Sequence, residues 1–369
     1  MRALTIGSAM IDIIVLVDSR NVERMTMTNE NASFLLLEQG AKVEAHAISS
    51  HCGGGAVNTA VALKRLGSRV AALAKTGRDG NAKRVRTFLE AEGVETGRLL
   101  DTDELATGQA VMVSSHDRNA TIFTHRGANG LIRPSDLPAS LFKGLELVYV
   151  SGLSNRSSDC FPGLMKVAIG AGAFVASNPG IRQITSRTEA LLTSIAGLGL
   201  MSVNRKEANA LVPAMSARAS GRKARKARGA REKDVPRLMR IGLSFGGFDM
   251  GLVEFADTLL STTGLKRLVI TDGSEGAILA DAKGFHHCPI LKVEVMGTAG
   301  AGDAFSSTLS FMLASGAEPQ DALRAASINA ASVVTHADTT EGLLDLETLK
   351  NRAAAAQKEL PVGTWPWKT

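Results

Sequence analysis

A run of small residues followed by a carboxylate, GTAGAGDAF at residues 297–305, is the segment most indicative of chemistry. Gly300, Ala301 and Gly302 come directly before a segment with helical spacing of apolar residues. Such a turn directs bare backbone N–H groups outward, and the helix N-terminus adds positive potential, so an anion is the expected ligand. Asp303, at the helix start, can deprotonate an attacking hydroxyl while the N–H groups hold the oxygens of a transferring phosphoryl group. The structural alternative is that Asp303 only caps the helix.

Three rival chemistries are not supported by the sequence. GLSFG at residues 242–246 fits the G-x-S-x-G pattern of hydrolases, but no strong strand precedes Ser244 and no partner His and acid are indicated. Gly53-x-Gly55-x-x-Asn58 nearly matches a dinucleotide fingerprint but fails at its third position. The chain contains no G-x-x-x-x-G-K-[ST], which excludes the P-loop class.

The elements that must position Asp303 alternate between buried strands and helices. Five short apolar runs end in Gly, Asn or Ser, as strands do before turns: SRVAALAKTG, LELVYVSG, GAFVASNPG, LGLMSVN and KRLVITDG. Helical spacing marks four further segments: AVNTAVALKRLG, AKRVRTFLEAEG, GDAFSSTLSFMLASG and EPQDALRAASINAASVVTH. This alternation predicts an α/β protein, a three-layer α/β/α sandwich around a mostly parallel sheet, forming one domain over residues 1–369.

Composition narrows the class of protein further. Of the 369 residues, 44% are hydrophobic, which predicts a self-sufficient core, and only 4% are aromatic, which argues against a base-stacking nucleic-acid surface. The three cysteines show no metal-ligand or disulfide spacing, so we expect a reducing compartment. Asp12 interrupts the apolar N-terminal run, and no stretch approaches the roughly 20 apolar residues of a membrane helix. We therefore expect a cytoplasmic protein with no membrane contact.

The net charge of +6 is concentrated in one segment. Residues 215–240 contain ten Lys or Arg against Glu232 and Asp234, a local charge of +8 that leaves the rest of the chain at −2. The segment lacks apolar periodicity, so we predict a basic loop inserted over approximately 215–240.

Five motifs in register give the chain a family resemblance. GTAGAGDAF resembles the D-T-x-G-A-G-D signature of ribokinase-like (PfkB-type) carbohydrate kinases. Four further motifs resemble other landmarks of that family, in the right order: GSAMID at 7–12, HCGGGAVNTAVALKRLG at 51–67, NRKE at 204–207 and TDGSEG at 271–276. The resemblance extends from about residue 4 to about residue 335 and implies transfer of a phosphoryl group from ATP to a hydroxyl of a ribose- or fructose-type sugar.

The resemblance also implies a role for each matching position. Asp303 is implied as the catalytic base, with an anion hole formed by Gly300, Ala301 and Gly302. The residues implied to bind substrate hydroxyls are Asp12, Gly54, Gly55 and Asn58. The residues implied to contact ATP are Thr271, Gly273 and Gly276, with Asn329 beside the adenine. The residues implied to organise Mg²⁺ through water are Asn204 and Glu207.

Three of these positions also have a structural interpretation that the sequence leaves open. Gly53 to Gly55 can form only a tight turn. Glu207 can be a first-turn acid favoured by the helix dipole. Asn329, in the middle of a predicted helix, can be a satisfied core amide.

Two departures from the family pattern affect substrate and cation use. The first Asp of the signature, which helps coordinate a monovalent cation in ribokinase-like members, is Gly297 here, so we expect K⁺ activation to be weak or absent. Ribokinases proper carry a Glu in the lid segment before G-A-N, where DRNATIFTHRGAN offers Asn119, which argues against strict D-ribose use.

The family also implies a small β lid, here from about residues 13–50 and 108–125, through which two subunits often pair, so a homodimer is expected. Two other functions are compatible with the sequence. One is a nucleoside (adenosine-type) kinase of the same family, which needs an apolar lid surface such as Phe34 or Phe123. The other is a non-catalytic ligand-binding or nucleic-acid-tethered protein, for which the basic segment is the only support.

Overall fold

The computed structural model describes residues 1–17, 23–27, 32–36, 40, 42–114, 120–228 and 235–368. Its strands are β1 (Arg2–Ile6), β2 (Met10–Val17), β3 (Glu23–Met27), β4 (Ala32–Leu36), β5 (Ala45–Gly53), β6 (Arg69–Gly77), β7 (Leu99–Thr102), β8 (Gly108–Ser114), β9 (Ala120–His125), β10 (Leu147–Val150), β11 (Phe174–Ser177), β12 (Leu200–Asn204), β13 (Leu243–Phe245), β14 (Phe248–Met250), β15 (Leu268–Thr271), β16 (Ala277–Ala280), β17 (Gly284–Cys288) and β18 (Gly363–Pro366). Its α-helices are α1 (Gly55–Arg65), α2 (Gly80–Ala91), α3 (Phe161–Gly170), α4 (Ile181–Ser186), α5 (Thr188–Ser194), α6 (Arg205–Ala219), α7 (Arg237–Ile241), α8 (Leu252–Thr263), α9 (Ala301–Ala314), α10 (Pro319–Val333) and α11 (Leu346–Ala355).

A ten-stranded sheet forms the centre of the molecule. Its strand order is β18-β17-β16-β15-β12-β11-β10-β1-β6-β7. The seven strands from β15 to β7 are parallel to their neighbours, and the three strands from β16 to β18 are antiparallel. The predicted α/β class with a mostly parallel sheet is therefore confirmed. The antiparallel edge was not predicted, because GFHHC and GTWP lack the long apolar runs of the central strands.

Side chains of alternate residues in each central strand pack into two separate cores on opposite faces of the sheet, because successive side chains of a strand point to opposite faces. Val148 and Val150 of β10 pack with α3 to α8, whereas Leu147 and Tyr149 of the same strand pack with α1, α2, α9, α10 and α11. The sheet is thus covered by helices on both faces, which confirms the three-layer α/β/α arrangement. None of the helices in the described ranges has the length and apolar character needed to cross a membrane.

A second, four-stranded sheet of order β5-β2-β8-β9 is built from the segments predicted as the lid. Its register puts Asp12 opposite His51 on β5 and opposite Ala110 on β8, and Ala110 opposite Thr124 on β9. Directly opposite residues share a face of a sheet, so this row defines the face that carries Asp12. We refer to this sheet as the small sheet.

The opening apolar run forms two strands in different sheets, β1 in the main sheet and β2 in the small sheet, because the chain turns between Ile6 and Met10. One prediction about a segment boundary is wrong. The predicted basic loop at 215–240 is too long at both ends. Helix α6 continues to Ala219 with Met215 in the core, and α7 anchors its far end through the buried Leu238. Within the segment, Arg225 pairs with the buried Asp257 and lies over the ring of Trp367.

Candidate active site

The turn before α9 requires glycine at position 300. Gly300 has a φ of +78°, and a Cβ there would lie 2.7 Å from the Thr339 carbonyl oxygen, so no other residue fits without strain. The next N–H group, that of Ala301, makes only a long 3.4 Å contact with the Thr298 carbonyl. The turn is therefore held tightly against the loop that contains Thr339.

The first turn of α9 presents backbone donors to a cleft. The bond from the Ala304 N–H to the Gly300 carbonyl, at 2.9 Å, is the first that the helix closes, so the N–H groups of Gly302 and Asp303 have no intrahelical acceptor. A Cβ at Gly302 would meet no atom within 4 Å, which shows that this side of the turn is open. The arrangement suits an anion, as the small residues of the motif predicted.

Asp303 is held by a short hydrogen-bond chain that crosses the molecule. Asn58 of α1 donates through Nδ2 to Asp303 Oδ2 at 2.8 Å, and Thr339 Oγ1 donates to Asn58 Oδ1 at 3.1 Å. Burial raises the pKa of Asp303 to about 6, against the lowering effect of the Asn58 bond. A carboxylate with a pKa near neutrality is well matched to accepting and releasing a proton.

Asp12 of β2 lies across a small polar space from Asn58 and Asp303. Its side chain is 8% exposed, and burial together with the charge of Asp303 raises its pKa to about 6. The strand pairing brings Gly53 beside it, where a Cβ would lie 2.1 Å from Asp12 Oδ2 and 3.7 Å from Asn58 Oδ1. The structure thus brings Asp12, Asn58 and Asp303 together around one small polar space.

The two predicted glycines next to this space have steric reasons for their identity. Gly54 has a φ of +99°, with the Ser8 carbonyl oxygen 2.6 Å from where a Cβ would be. A Cβ at Gly55 would lie 2.4 Å from Ser151 Oγ. Both positions admit only a bare backbone, so the turn interpretation and the substrate-contact interpretation are compatible here.

A cleft of about 650 Å³ opens at the first turn of α9, a size suited to a nucleotide. Ala301 and Gly302 form one end, and Thr271, Gly273 and Gly276 lie along it. Apolar side chains between residues 290 and 295 and one side of α10 line the rest. A Cβ at Gly276, where φ is +88°, would lie 2.2 Å from the Cys288 carbonyl oxygen. Three of the four residues predicted to contact ATP therefore share one cleft with the anion site.

Asn329 is the exception among those four. It is fully buried, its Nδ2 donates to Thr308 Oγ1 at 2.8 Å, and its Oδ1 accepts from the Leu344 N–H at 3.0 Å. It does not line the cleft, where its neighbours Ala330 and Ala331 do. The predicted contact with adenine is corrected: Asn329 is a satisfied core amide, and the helix turns its side chain inward.

Asn204 and Glu207 form a capping box at the start of α6. Asn204 Oδ1 accepts from the Glu207 N–H, and Glu207 Oε2 accepts from the Asn204 N–H, both at 2.9 Å. Burial raises the pKa of Glu207, against these bonds to Asn204. Asn204 pairs in register with Thr271, so the cap lies beside the cleft without lining it. In the described ranges, no group of three His, Cys, Asp or Glu side chains is arranged to hold a metal ion.

Three residues of the site, His51, Asp338 and Thr339, were not identified from the sequence. His51 of β5 pairs with Asp338 at 2.6 Å, and the next residue, Thr339, supports Asn58. This loop follows α10, some 280 residues after Asn58, and no local pattern marks it. His51 was visible only as the residue opposite Asp12 once β2 and β5 were paired.

The small sheet orients Phe123 away from the site. Phe123 is 60% exposed and belongs to the row Ile13, Val111, Phe123, one residue out of step with the Asp12 row and thus on the opposite face. Of the other predicted lid residues, Asn119 lies outside the described residues, as does the side chain of Phe34.

Comparisons with known proteins agree with this architecture. A model of the pfkB family of carbohydrate kinases matches residues 2–233 and 251–346. The chain is 28% identical to the aminoimidazole riboside kinase of Salmonella typhimurium over 269 residues, 71% of this chain and 73% of that protein. It is 22% identical to the deoxyribokinase of Salmonella typhi over 337 residues, 90% of this chain and 96% of that protein. The crystal structure of ribokinase from Cryptococcus neoformans var. grubii serotype A, in complex with ADP, has a TM-score of 0.69 at 21% identity, covering 95% of this chain and 99% of that one.

The fold is the ribokinase-like α/β/α architecture. The family match covers most of the sequence, and its interruption at 234–250 contains α7 and the β13–β14 hairpin. The chain belongs to the pfkB family of carbohydrate kinases.

Proposed function

We propose that the protein transfers the γ-phosphoryl group of ATP to a hydroxyl of a small sugar or sugar-like molecule, with Asp303 as general base. The observation that supports this most directly is the position of Asp303. Its carboxylate, with a pKa of about 6, lies beside the open N–H groups of α9 and is bonded to Asn58, which faces Asp12 across the same space. A base and an anion site next to each other are what in-line phosphoryl transfer needs.

The chain's own residues account for binding and proton transfer. Asp12 accepts hydrogen bonds from sugar hydroxyls and Asn58 can both accept and donate, while Gly54 and Gly55 let the sugar approach the backbone. The attacking hydroxyl gives its proton to Asp303 as its oxygen bonds to phosphorus and the bond to the leaving ADP oxygen breaks. The N–H groups of Gly302 and Asp303 stabilise the phosphoryl oxygens during the transfer.

The nucleotide is proposed to occupy the 650 Å³ cleft, with its phosphates toward Gly302 and its base against the apolar wall from α10. Mg²⁺ neutralises charge on the phosphates when bound. Glu207 and Asn204 fit a contact through water: the capping box uses Oδ1 and Oε2, and among the described residues no hydrogen bond engages Glu207 Oε1. The expectation for K⁺ remains that it is not needed, because Gly297 lacks a carboxylate where the carbonyls of His336 and Ala337 face it.

A nucleoside kinase is the second candidate, supported by one feature of the small sheet. Ile14, Met112 and Ile122 form a row on the face that carries Asp12, two residues further along each strand. Ile122 is 56% exposed, so this row offers an apolar surface that suits a nucleobase attached to the sugar. Phe123 does not contribute to this surface, because it is on the other face.

An ADP-release screen over pentoses, hexoses, keto-sugar acids and nucleosides tests the proposal. We expect sugar-dependent ADP release with at least one member and phosphorylated product detected by mass spectrometry. Preference for a nucleoside over its free sugar would select the second candidate. The absence of transfer to every member would contradict the kinase assignment proposed for this site.

A further inference from the structure

The only tyrosine of the chain lies directly beneath the first turn of α9. Tyr149 of β10 is 1% exposed, and its hydroxyl lies 2.6 Å from Ser306 Oγ. Ser306 Oγ in turn donates to the Gly302 carbonyl at 2.6 Å. These three groups form a continuous chain from the centre of the sheet to the open end of the helix.

The number of protons on each group decides which group donates and which accepts in this series of hydrogen bonds. A serine hydroxyl has one proton, and a carbonyl oxygen can only accept. The Ser306 hydroxyl therefore donates its hydrogen bond to the Gly302 carbonyl oxygen, and the Tyr149 hydroxyl must be the donor to Ser306 Oγ. Burial, and then the charges of Asp303 and Glu207, raise the pKa of Tyr149 well above its usual range, so the phenol keeps the proton that it donates.

The Gly302 carbonyl, which accepts the hydrogen bond from Ser306, belongs to the same peptide unit as the N–H of Asp303. All peptides in the described ranges are trans, so the Gly302 C=O and the Asp303 N–H point in opposite directions. The carbonyl points along the helix toward Ser306, and the N–H points toward the cleft that Gly302 lines. A hydrogen bond at the carbonyl end polarises the peptide and strengthens the N–H as a donor.

We propose that Tyr149 and Ser306 are positioning residues that orient and polarise the Gly302–Asp303 peptide, so that its N–H binds the transferring phosphoryl group more tightly in the transition state. This inference rests on the anion site proposed above and adds a buried relay to it. The relay touches neither substrate, so its effect should be on turnover and not on binding of the ground-state substrates.

The expected size follows from the worth of one such donor. Removing a whole oxyanion-hole donor costs about 10²–10³ in turnover, and hydrogen-bond cooperativity changes the strength of a bond by about 10–30%. Loss of the relay should therefore lower kcat by about two- to eight-fold. The same factor should appear in the affinity for MgADP with aluminium fluoride, and should be absent from the affinity for MgADP.

Helix α9 supplies a matched control for the test. Ser307 makes the same kind of bond as Ser306, donating to the Asp303 carbonyl at 2.6 Å, but the N–H of that peptide, on Ala304, is already bonded to Gly300. Ser307→Ala therefore removes an equivalent hydroxyl without affecting a donor that faces the cleft. We expect it to leave kcat and the aluminium fluoride affinity within the error of wild type.

The experiment compares Tyr149→Phe, Ser306→Ala, their double variant and Ser307→Ala, using the substrate that the screen gives. We expect each relay variant to lose two- to eight-fold in kcat with KM unchanged, and the double variant to lose no more than Ser306→Ala alone. Unchanged kcat in Ser306→Ala, or equal losses in Ser307→Ala, would overturn the inference; Ser306→Ala decides the matter even if Tyr149→Phe does not fold. If the wild-type protein shows no transfer, or Asp303→Asn keeps its turnover, the proposed function fails and the relay with it.

Discussion

Replacing Asp303, the proposed catalytic base, should stabilise the protein while it abolishes activity. The pKa of Asp303 is raised by burial from an ordinary 3.8 to about 6, so folding disfavours its charged form. A group whose pKa is raised in the folded state contributes its full stabilisation at a pH below its unfolded pKa. This stabilisation is lost as the pH rises through the folded pKa. The wild-type protein therefore loses stability between about pH 4 and pH 7.

The magnitude follows from the shift. A change of about two pH units at about 1.36 kcal/mol per unit corresponds to about 3 kcal/mol at pH 8. Asp303→Asn removes the charge and keeps a carbonyl oxygen that can accept from Asn58. We expect the variant to be about 2–3 kcal/mol more stable than wild type at pH 8, and only about 1 kcal/mol more stable at pH 4.5.

Urea unfolding of both proteins at pH 4.5 and pH 8 measures this difference. Asp338→Asn is the control with the opposite sign. Burial raises the pKa of Asp338, but hydrogen bonds from Thr340 and the charge of His51 outweigh this and leave it lowered. Its loss should destabilise the protein at pH 8. An Asp303→Asn variant that is no more stable than wild type at pH 8, or whose gain in stability does not depend on pH, would show that folding does not raise the pKa of Asp303.

Two further predictions concern substrate and cation. Asp12→Asn and Asn58→Ala should raise the KM of the sugar far more than that of ATP, because both side chains face the space beside Asp303 and neither lines the proposed nucleotide cleft. The reverse result in steady-state kinetics would mean that the sugar and nucleotide sites are assigned the wrong way round. K⁺ and a bulky organic cation at matched ionic strength should support similar rates, because Gly297 supplies no charged ligand. Strong, saturable activation by K⁺ would contradict this, and Gly297→Asp is the converse variant, expected to gain K⁺ dependence.

The sequence predicted the parts of the molecule that local patterns encode. Buried strands such as LELVYVSG and helices such as GDAFSSTLSFMLASG are marked by runs and periods of apolar residues, and each forms its predicted element. Two of the three antiparallel edge strands, β17 and β18, have no such pattern: β17, GFHHC, is buried by Trp365 and Trp367 from the far end of the chain. Their pairing depends on tertiary contacts that no local window contains.

The residues of the site also fall into those that could be named from the sequence and those whose roles depend on tertiary contacts. Gly54 and Gly276 were named from the family resemblance and Gly300 from its place before a helix. The structure gives each a steric reason, a positive φ and a close backbone approach. Asn329 was misassigned because a mid-helix amide gives no sign of which way it faces, and its partners Thr308 and Leu344 come from other elements. Thr339 and Asp338 were missed because their roles arise only when the loop after α10 meets α1 and β5.

The turnover of Asp303→Asn against wild type as a function of pH tests directly whether Asp303 is the general base. We expect kcat/KM of the wild-type protein to rise with pH through about 6, because Asp303 must be deprotonated to act as a base. The variant should lose about 10²–10⁴ in kcat and keep its affinity for ATP. Near-normal turnover in a folded Asp303→Asn variant would show that Asp303 is not the base.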